Sequence, residues 1–167
     1  SGERAIAIAG AAGVKVVFNP APARPLPDAL IAQVDYLNVN ETEAGQLSGV
    51  LVADQPSAAR AAELLLARGA GAVLVTMGAQ GVLVAAGGRQ RFIAAVAVDA
   101  VDTTAAGDTF VGAFTVGVAR GLSIDDATIE AQYAAAVSVT RLGAQSSIPS
   151  REEMLQFKLS TQRRGVL

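Results

Sequence analysis

Asp102-Thr103-Thr104-Ala105-Ala106-Gly107-Asp108-Thr109-Phe110 runs directly into an apolar helical stretch, Val111 to Ala119, and the rest of the chain is organised around this junction. Small residues at 105, 106 and 107 let backbone N–H groups turn inward where a helix begins. The free N–H groups of a helix N-terminus suit an anion, such as a phosphoryl group in transfer. Asp108 stands at the mouth of that site. A carboxylate there can take the proton of an attacking hydroxyl while the amides and the helix dipole stabilise charge developing on phosphate. The same residues also suit a plain N-cap followed by close helix packing, so both readings stand on these positions alone.

Composition narrows the choice. The 167 residues are 51% hydrophobic and 17% charged, which fits one compact domain with a sizeable core. With no cysteine and no histidine, disulfide frameworks, thiolate chemistry, the usual zinc sites and histidine-dependent triads are excluded. A net charge of −2 and 4% aromatic residues argue against a nucleic-acid surface. No apolar stretch is long enough to span a bilayer and no signal-peptide pattern opens the chain, so a cytoplasmic location is the default expectation.

Upstream of the junction the pattern is that of repeated strand–helix units. Ala5 to Ala12 reads as the tail of a helix and Val14 to Phe18 as a buried parallel strand, so the chain opens inside such a unit and looks cut; Ser1-Gly2 would suit a cloning remnant. Asn19 to Pro27 holds four prolines in nine residues and must be a stiff loop. Asp28 to Val34 follows as a short helix and Tyr36 to Val39 as a strand ending at Asn40. Asn40 and Glu43 then sit where a strand passes into a helix, spaced as a capping box and placed where open α/β sheets bind ligands. Pro56 to Arg68 is an amphipathic helix stopped by Gly69, and Ala72 to Thr76 is a strand closing on Thr76-Met77-Gly78-Ala79-Gln80-Gly81. That loop suits a tight turn or a close approach of ligand to backbone. Val82 to Ala86 and Arg89 to Ala94, around Gly87-Gly88, form an alternating hairpin, the one clearly antiparallel element in this reading.

Downstream, Gly121 ends the central helix, Ser123 caps a long Ala- and Val-rich helix from Ile124 to Arg141, and Arg141 to Pro149 breaks regular structure. Ser150 to Lys158 is a last short helix with Glu153 closing its capping box, and residues 159–167 form a tail expected to fray. There is no internal repeat, no domain linker and no Walker A sequence, so residues 1–158 are expected to belong to a single domain.

From Asp102 to Thr115 the sequence resembles the second signature of the ribokinase-like (PfkB) carbohydrate kinase family at every constrained position, and Asn19-Pro20-Ala21-Pro22-Ala23 is similar to the wording of its ribokinases. The resemblance covers essentially the whole chain but only the carboxyl-terminal half of that family. It implies an α/β fold, a mostly parallel sheet flanked by helices with a β-hairpin, without the amino-terminal half and the lid that supply most sugar contacts. It implies transfer of the γ-phosphoryl of ATP to a sugar primary hydroxyl, the 5-hydroxyl of ribose, with Asp108 as base and sole expected sugar contact. Amides of Ala105, Ala106, Gly107 and Asp108 would form the anion hole. Asn40, Thr76, Gly78, Ala79, Gln80, Gly81 and Gln132 would bind nucleotide, and Asn40 and Glu43 would hold Mg2+ through water. A potassium-like cation would take the Asp102 carboxylate, the carbonyls of Thr104, Ser138, Arg141 and Gly143, and Ser147.

Two positions depart from the family pattern: Gln132 replaces the usual Asn or His beside adenine, and Ala105 replaces a common Gly. Complete family members commonly pair as homodimers through the lid, and a sheet edge left bare by missing strands would be an association site. The alternatives are another sugar or nucleoside kinase of the family, or a nucleotide-binding fragment without catalysis.

Overall fold

The computed structural model describes residues 2–164, and the chain divides into two compact units, Ser1–Ile93 and Ala94–Leu167. Ser1 and residues 165–167, the end of the expected tail, lie outside the described residues.

The first unit is built on a sheet in the order β1-β2-β3-β4-β5, with β1 Val17–Phe18, β2 Tyr36–Asn40, β3 Ala72–Thr76, β4 Gly81–Ala86 and β5 Arg89–Ala94. Its helices are α1 Gly2–Ala11, α2 Asp28–Ile31, α3 Glu41–Ser48 and α4 Gln55–Ala67. Strands β1, β2 and β3 are parallel, with Phe18 opposite Leu37 and Asn40 opposite Thr76. The turn to antiparallel pairing comes one strand earlier than the sequence pattern suggested, since β3 already pairs antiparallel with β4. The Thr76–Gly81 loop is therefore a hairpin connection: the Met77 N–H donates to the Gly81 carbonyl at 2.8 Å, and Gly78 adopts φ 51°.

Strand alternation sends Leu37, Val39, Val73, Val75, Leu83 and Ala85 into one core with Ala58, Ala61, Ala62 and Leu65. Those four residues of α4 fall at i, i+3, i+4 and i+7, the stripe that its sequence promised. Asp54 and Ser57 close a capping box at its start. At its end the Arg68 guanidinium donates to Asp28 Oδ1 and to the Leu47 and Leu26 carbonyls at 2.7, 2.6 and 2.6 Å. Entry into β3 requires glycine at 71, where a Cβ would lie 2.8 Å from the Asp35 carbonyl oxygen.

Two elements are shorter than expected. The first strand keeps only Val17–Phe18, because the Asp35 carboxylate takes the Val16 N–H at 2.9 Å. Helix α2 stops at Ile31 because Gln33 and Val34 bond three residues back, the tighter turn that ends a helix.

The second unit holds α5 Ala106–Ala119, α6 Ile124–Val139 and α7 Arg151–Arg164. A Cβ on Gly117 would come 2.9 Å from the Ala127 Cβ, so small residues set the close approach of α5 to α6. Phe110 and Phe114 stack at 6.4 Å, and Tyr133 of α6 meets Phe157 of α7 edge-on at 6.3 Å. Ser123 caps α6 as expected, while Thr140 and Arg141 bond three residues back and end that helix at Val139. The expected end of α7 at Lys158 is exceeded by six residues, so residues 159–164 are helix and not a tail. Nothing in Leu159–Arg164 breaks a helix, and the Ser160 and Thr161 hydroxyls bond back to the Phe157 carbonyl. No helix among the described residues is long and apolar enough to cross a membrane.

Candidate active site

In the first unit the carboxyl ends of the three parallel strands carry Asn19, Asn40 and Thr76, with Asn40 opposite Thr76 and Asn19, just after β1, bonded to the neighbouring strand at Asn38. Asn40 caps α3: its Oδ1 accepts the Glu43 N–H at 2.8 Å, and Glu43 Oε2 accepts the Asn40 N–H at 3.0 Å. The capping-box reading is thus realised. Asn19 was not among the sequence candidates, yet its amide donates to the same Glu43 Oε2 at 3.2 Å and to the Asn38 carbonyl at 2.9 Å. Glu43 is buried, and its Oε1 makes no hydrogen bond among the described residues. One open carboxylate oxygen beside an exposed Asn amide is a sparse oxygen set that fits Mg2+ retaining several waters. It does not fit a protein cage, and no cluster of three acidic, His or Cys side chains exists among the described residues. Gly78, Ala79 and Gln80 stand exposed on the β3–β4 turn, Gly81 is buried, and the Thr76 hydroxyl reaches the Val39 carbonyl at 3.4 Å.

In the second unit the start of α5 has the open donors that the sequence suggested, with one change. Ala106 N–H is spent on the Thr103 carbonyl at 3.2 Å, and Thr109 N–H on Ala105 at 2.9 Å. Ala105, Gly107 and Asp108 keep their N–H groups without partners among the described residues. A Cβ added to Gly107 would meet nothing within 4 Å, so no packing among the described residues demands glycine and the space beside this turn stays open. Asp108, the third residue of α5, is exposed and its carboxylate makes no hydrogen bond among the described residues. An exposed carboxylate beside two open amides at a helix N-terminus can accept a proton next to a bound anion.

Asp102 ties the start of this motif to the loop after α6. Its Oδ1 accepts the Thr104 hydroxyl at 2.6 Å and the Thr104 N–H at 2.9 Å, and Oδ2 accepts the Gly143 N–H at 3.0 Å. These bonds, the Thr104 hydroxyl foremost, hold the Asp102 carboxyl below its ordinary range. The Ser138 carbonyl accepts the Arg141 N–H at 3.1 Å, and buried Ser147 donates its hydroxyl to Ala144 at 2.7 Å. Asp102, Thr104 and Gly143 are therefore joined directly, whereas Ser138, Arg141 and Ser147 belong to the adjoining turns. Gln132 is buried in α6 and gives its amide to the Ala94 carbonyl at 3.0 Å. The family model of pfkB family carbohydrate kinases matches residues 1–151.

The chain belongs to that family. Among its carbohydrate-kinase relatives, the ribokinase of Haemophilus influenzae is 50% identical over 155 residues, which are 93% of this chain and 51% of the relative. The solved Arabidopsis thaliana ribokinase complexed with ribose and ATP matches with a TM-score of 0.88 at 30% identity, over 93% of this chain and 51% of that one. An Escherichia coli protein of ribokinase II type, solved with ATP and Mg2+, matches with a TM-score of 0.79 at 25% identity, over 95% of this chain and 53% of that one. The chain spans about half the length of the curated relatives it matches.

Proposed function

We propose that this pfkB-family chain carries the nucleotide site and the base of a kinase that moves the γ-phosphoryl of ATP to a sugar primary hydroxyl, that of ribose C5. The observation that carries the reading is the start of α5, where exposed Asp108 stands beside the open amides of Gly107 and Asp108. The ATP and ribose in the solved relatives support it. In this scheme the sugar oxygen attacks the γ-phosphorus, the bond from phosphorus to the ADP oxygen breaks, and the hydroxyl proton passes to the Asp108 carboxylate. The amides at 105, 107 and 108 stabilise the charge gathering on the transferred group.

In this scheme the turn Thr76 to Gly81 would offer backbone to the phosphates, and Gln132 would serve the adenine base. Asn40 and Glu43 would hold Mg2+ through water, and the ion supplies charge neutralisation on the phosphate oxygens. A potassium-like ion on Asp102, the carbonyls of Thr104, Ser138, Arg141 and Gly143, and Ser147 would brace the turn into α5 without joining the chemistry.

A chimera joining this chain to the part of the Haemophilus influenzae relative outside the match tests the reading. It should phosphorylate ribose in preference to other sugars and nucleosides, and Asp108→Asn should lower turnover about 10²-fold or more with ATP binding retained. Transfer unaffected by Asp108→Asn would refute the base assignment. A preference for another acceptor would move the protein to a different kinase of the family.

A further inference from the structure

Glu43 is buried in the first turn of α3, and its two carboxylate oxygens are held unequally. Oε2 accepts two hydrogen bonds, from the Asn40 N–H at 3.0 Å and from the Asn19 side-chain amide at 3.2 Å, while Oε1 accepts none among the described residues. The capping-box bond alone would leave the carboxylate free to turn about its last torsion, which is broad and two-fold, so that either oxygen could face the cap. The second donor removes that freedom. It comes from outside α3: Asn19 stands just after β1, where parallel pairing with β2 lays it beside Asn38, and the following Pro20 biases its backbone toward extended conformations. The orientation of the Asn19 amide is fixed as well. Its nitrogen gives one hydrogen to the Asn38 carbonyl at 2.9 Å and the other to Glu43. Turning the amide over would set its own oxygen against two acceptors.

We propose that Asn19 is a positioning residue: by fixing Oε2 of Glu43 it presents Oε1 as the carboxylate oxygen available to the hydrated Mg2+ of the nucleotide. The inference rests on the reading of Asn40 and Glu43 as the magnesium support. It adds a third residue, at the end of a different strand, that touches neither ion nor nucleotide and acts through Glu43. An amide suits this task better than a lysine or an arginine, because it orients the carboxylate without neutralising the charge that attracts the metal. The same amide ties β1 to β2 through the Asn38 carbonyl, and the two effects separate by experiment.

The chain is titrated calorimetrically with ATP in Mg2+ and with ATP in EDTA, as the parent, Asn19→Ala, Glu43→Gln and the double variant, each checked for folding by circular dichroism. Asn19→Ala should weaken Mg-ATP binding about fivefold, less than for a group that orients a direct metal ligand, because the ion is held through water. Binding of ATP in EDTA should stay within about twofold of the parent, and in the Glu43→Gln background Asn19→Ala should change Mg-ATP binding by less than about twofold, because the carboxylate it orients is gone. Asn19→Ser, whose hydroxyl ends one bond short of the amide nitrogen, replaces Asn19→Ala with the same expectation if the alanine variant does not fold. Equal weakening with and without Mg2+ would reduce Asn19 to a tie between strands and overturn the proposal. So would effects of Asn19→Ala and Glu43→Gln that multiply in the double variant. Loss of Mg-ATP affinity in Glu43→Gln but not in Asn19→Ala would overturn the proposal and leave the magnesium reading standing. Mg-ATP binding that is absent in the parent or indifferent to Glu43→Gln would overturn both.

Discussion

Replacing Glu43 by alanine and by glutamine separates two roles that the structure superimposes on one side chain. Glu43 Oε2 accepts the Asn40 N–H at 3.0 Å and the Asn19 amide at 3.2 Å, and the residue is buried. Alanine removes both bonds and leaves two donors without an acceptor. The lost cap and the unpaired amide should together cost about 2–3 kcal/mol of stability. Glutamine keeps a carbonyl oxygen of similar placement, so its cost should stay below about 1 kcal/mol. The charge is nevertheless gone, and with it the carboxylate proposed to hold hydrated Mg2+. Affinity for Mg-ATP should therefore fall about tenfold, roughly 1.4 kcal/mol, while affinity for ATP without Mg2+ stays the same. Urea unfolding followed by circular dichroism gives the stability differences, and titration calorimetry with and without Mg2+ gives the affinities. Equal destabilisation by both substitutions would show that the carboxylate charge itself holds the fold. Unchanged Mg-ATP binding by Glu43→Gln would refute the metal-support role.

Two further outcomes follow from local geometry. Arg68→Ala removes two charged hydrogen bonds to the Leu26 and Leu47 carbonyls from a side chain 26% exposed and should cost about 3 kcal/mol, whereas Asp28→Ala, at a side chain 72% exposed, should cost less than about 1 kcal/mol by urea unfolding. The Glu153 carboxyl is pulled from 4.5 down to about 2 by the Ser150 N–H, then by Arg141 and the Ser150 hydroxyl. Because its folded value is the lower one, its stabilisation is complete above 4.5 and fades as the pH falls toward 2. Glu153→Gln should therefore be less stable than the parent at neutral pH, and the gap in unfolding midpoint should close over that window. A gap independent of pH would contradict the reasoning.

Strands β2 and β3 were legible almost to the residue, because β3 is an apolar run closed by a glycine turn and β2, apolar but for Asn38, is closed by the polar cap Asn40. The Asn40–Glu43 box was legible for the same reason: its spacing of three is a local signal. Asn19 was not, since its bond to Glu43 spans 24 residues and exists only once β1 and β2 lie side by side. The Asp102–Gly143 bond spans 41 residues; the family resemblance grouped these residues around a cation, and the structure joins them directly. At the start of α5 the family resemblance named the amides of residues 105 to 108, and Ala106 drops out because the Thr103 carbonyl captures its N–H through a turn that composition does not reveal. Helix α7 ran past Lys158 because periodicity fades there before any helix-breaking residue appears.

The central claim is that this chain assembles a phosphate site at the start of α5, and calorimetric titration with Mg-ATP tests it most directly. Binding should be seen in potassium buffer, weaken when monovalent metal ions are omitted, and be lost in Gly107→Ala, whose added methyl meets nothing within 4 Å among the described residues and so should leave stability unchanged. No binding in either buffer, or binding indifferent to Gly107→Ala in a folded variant, would contradict the account.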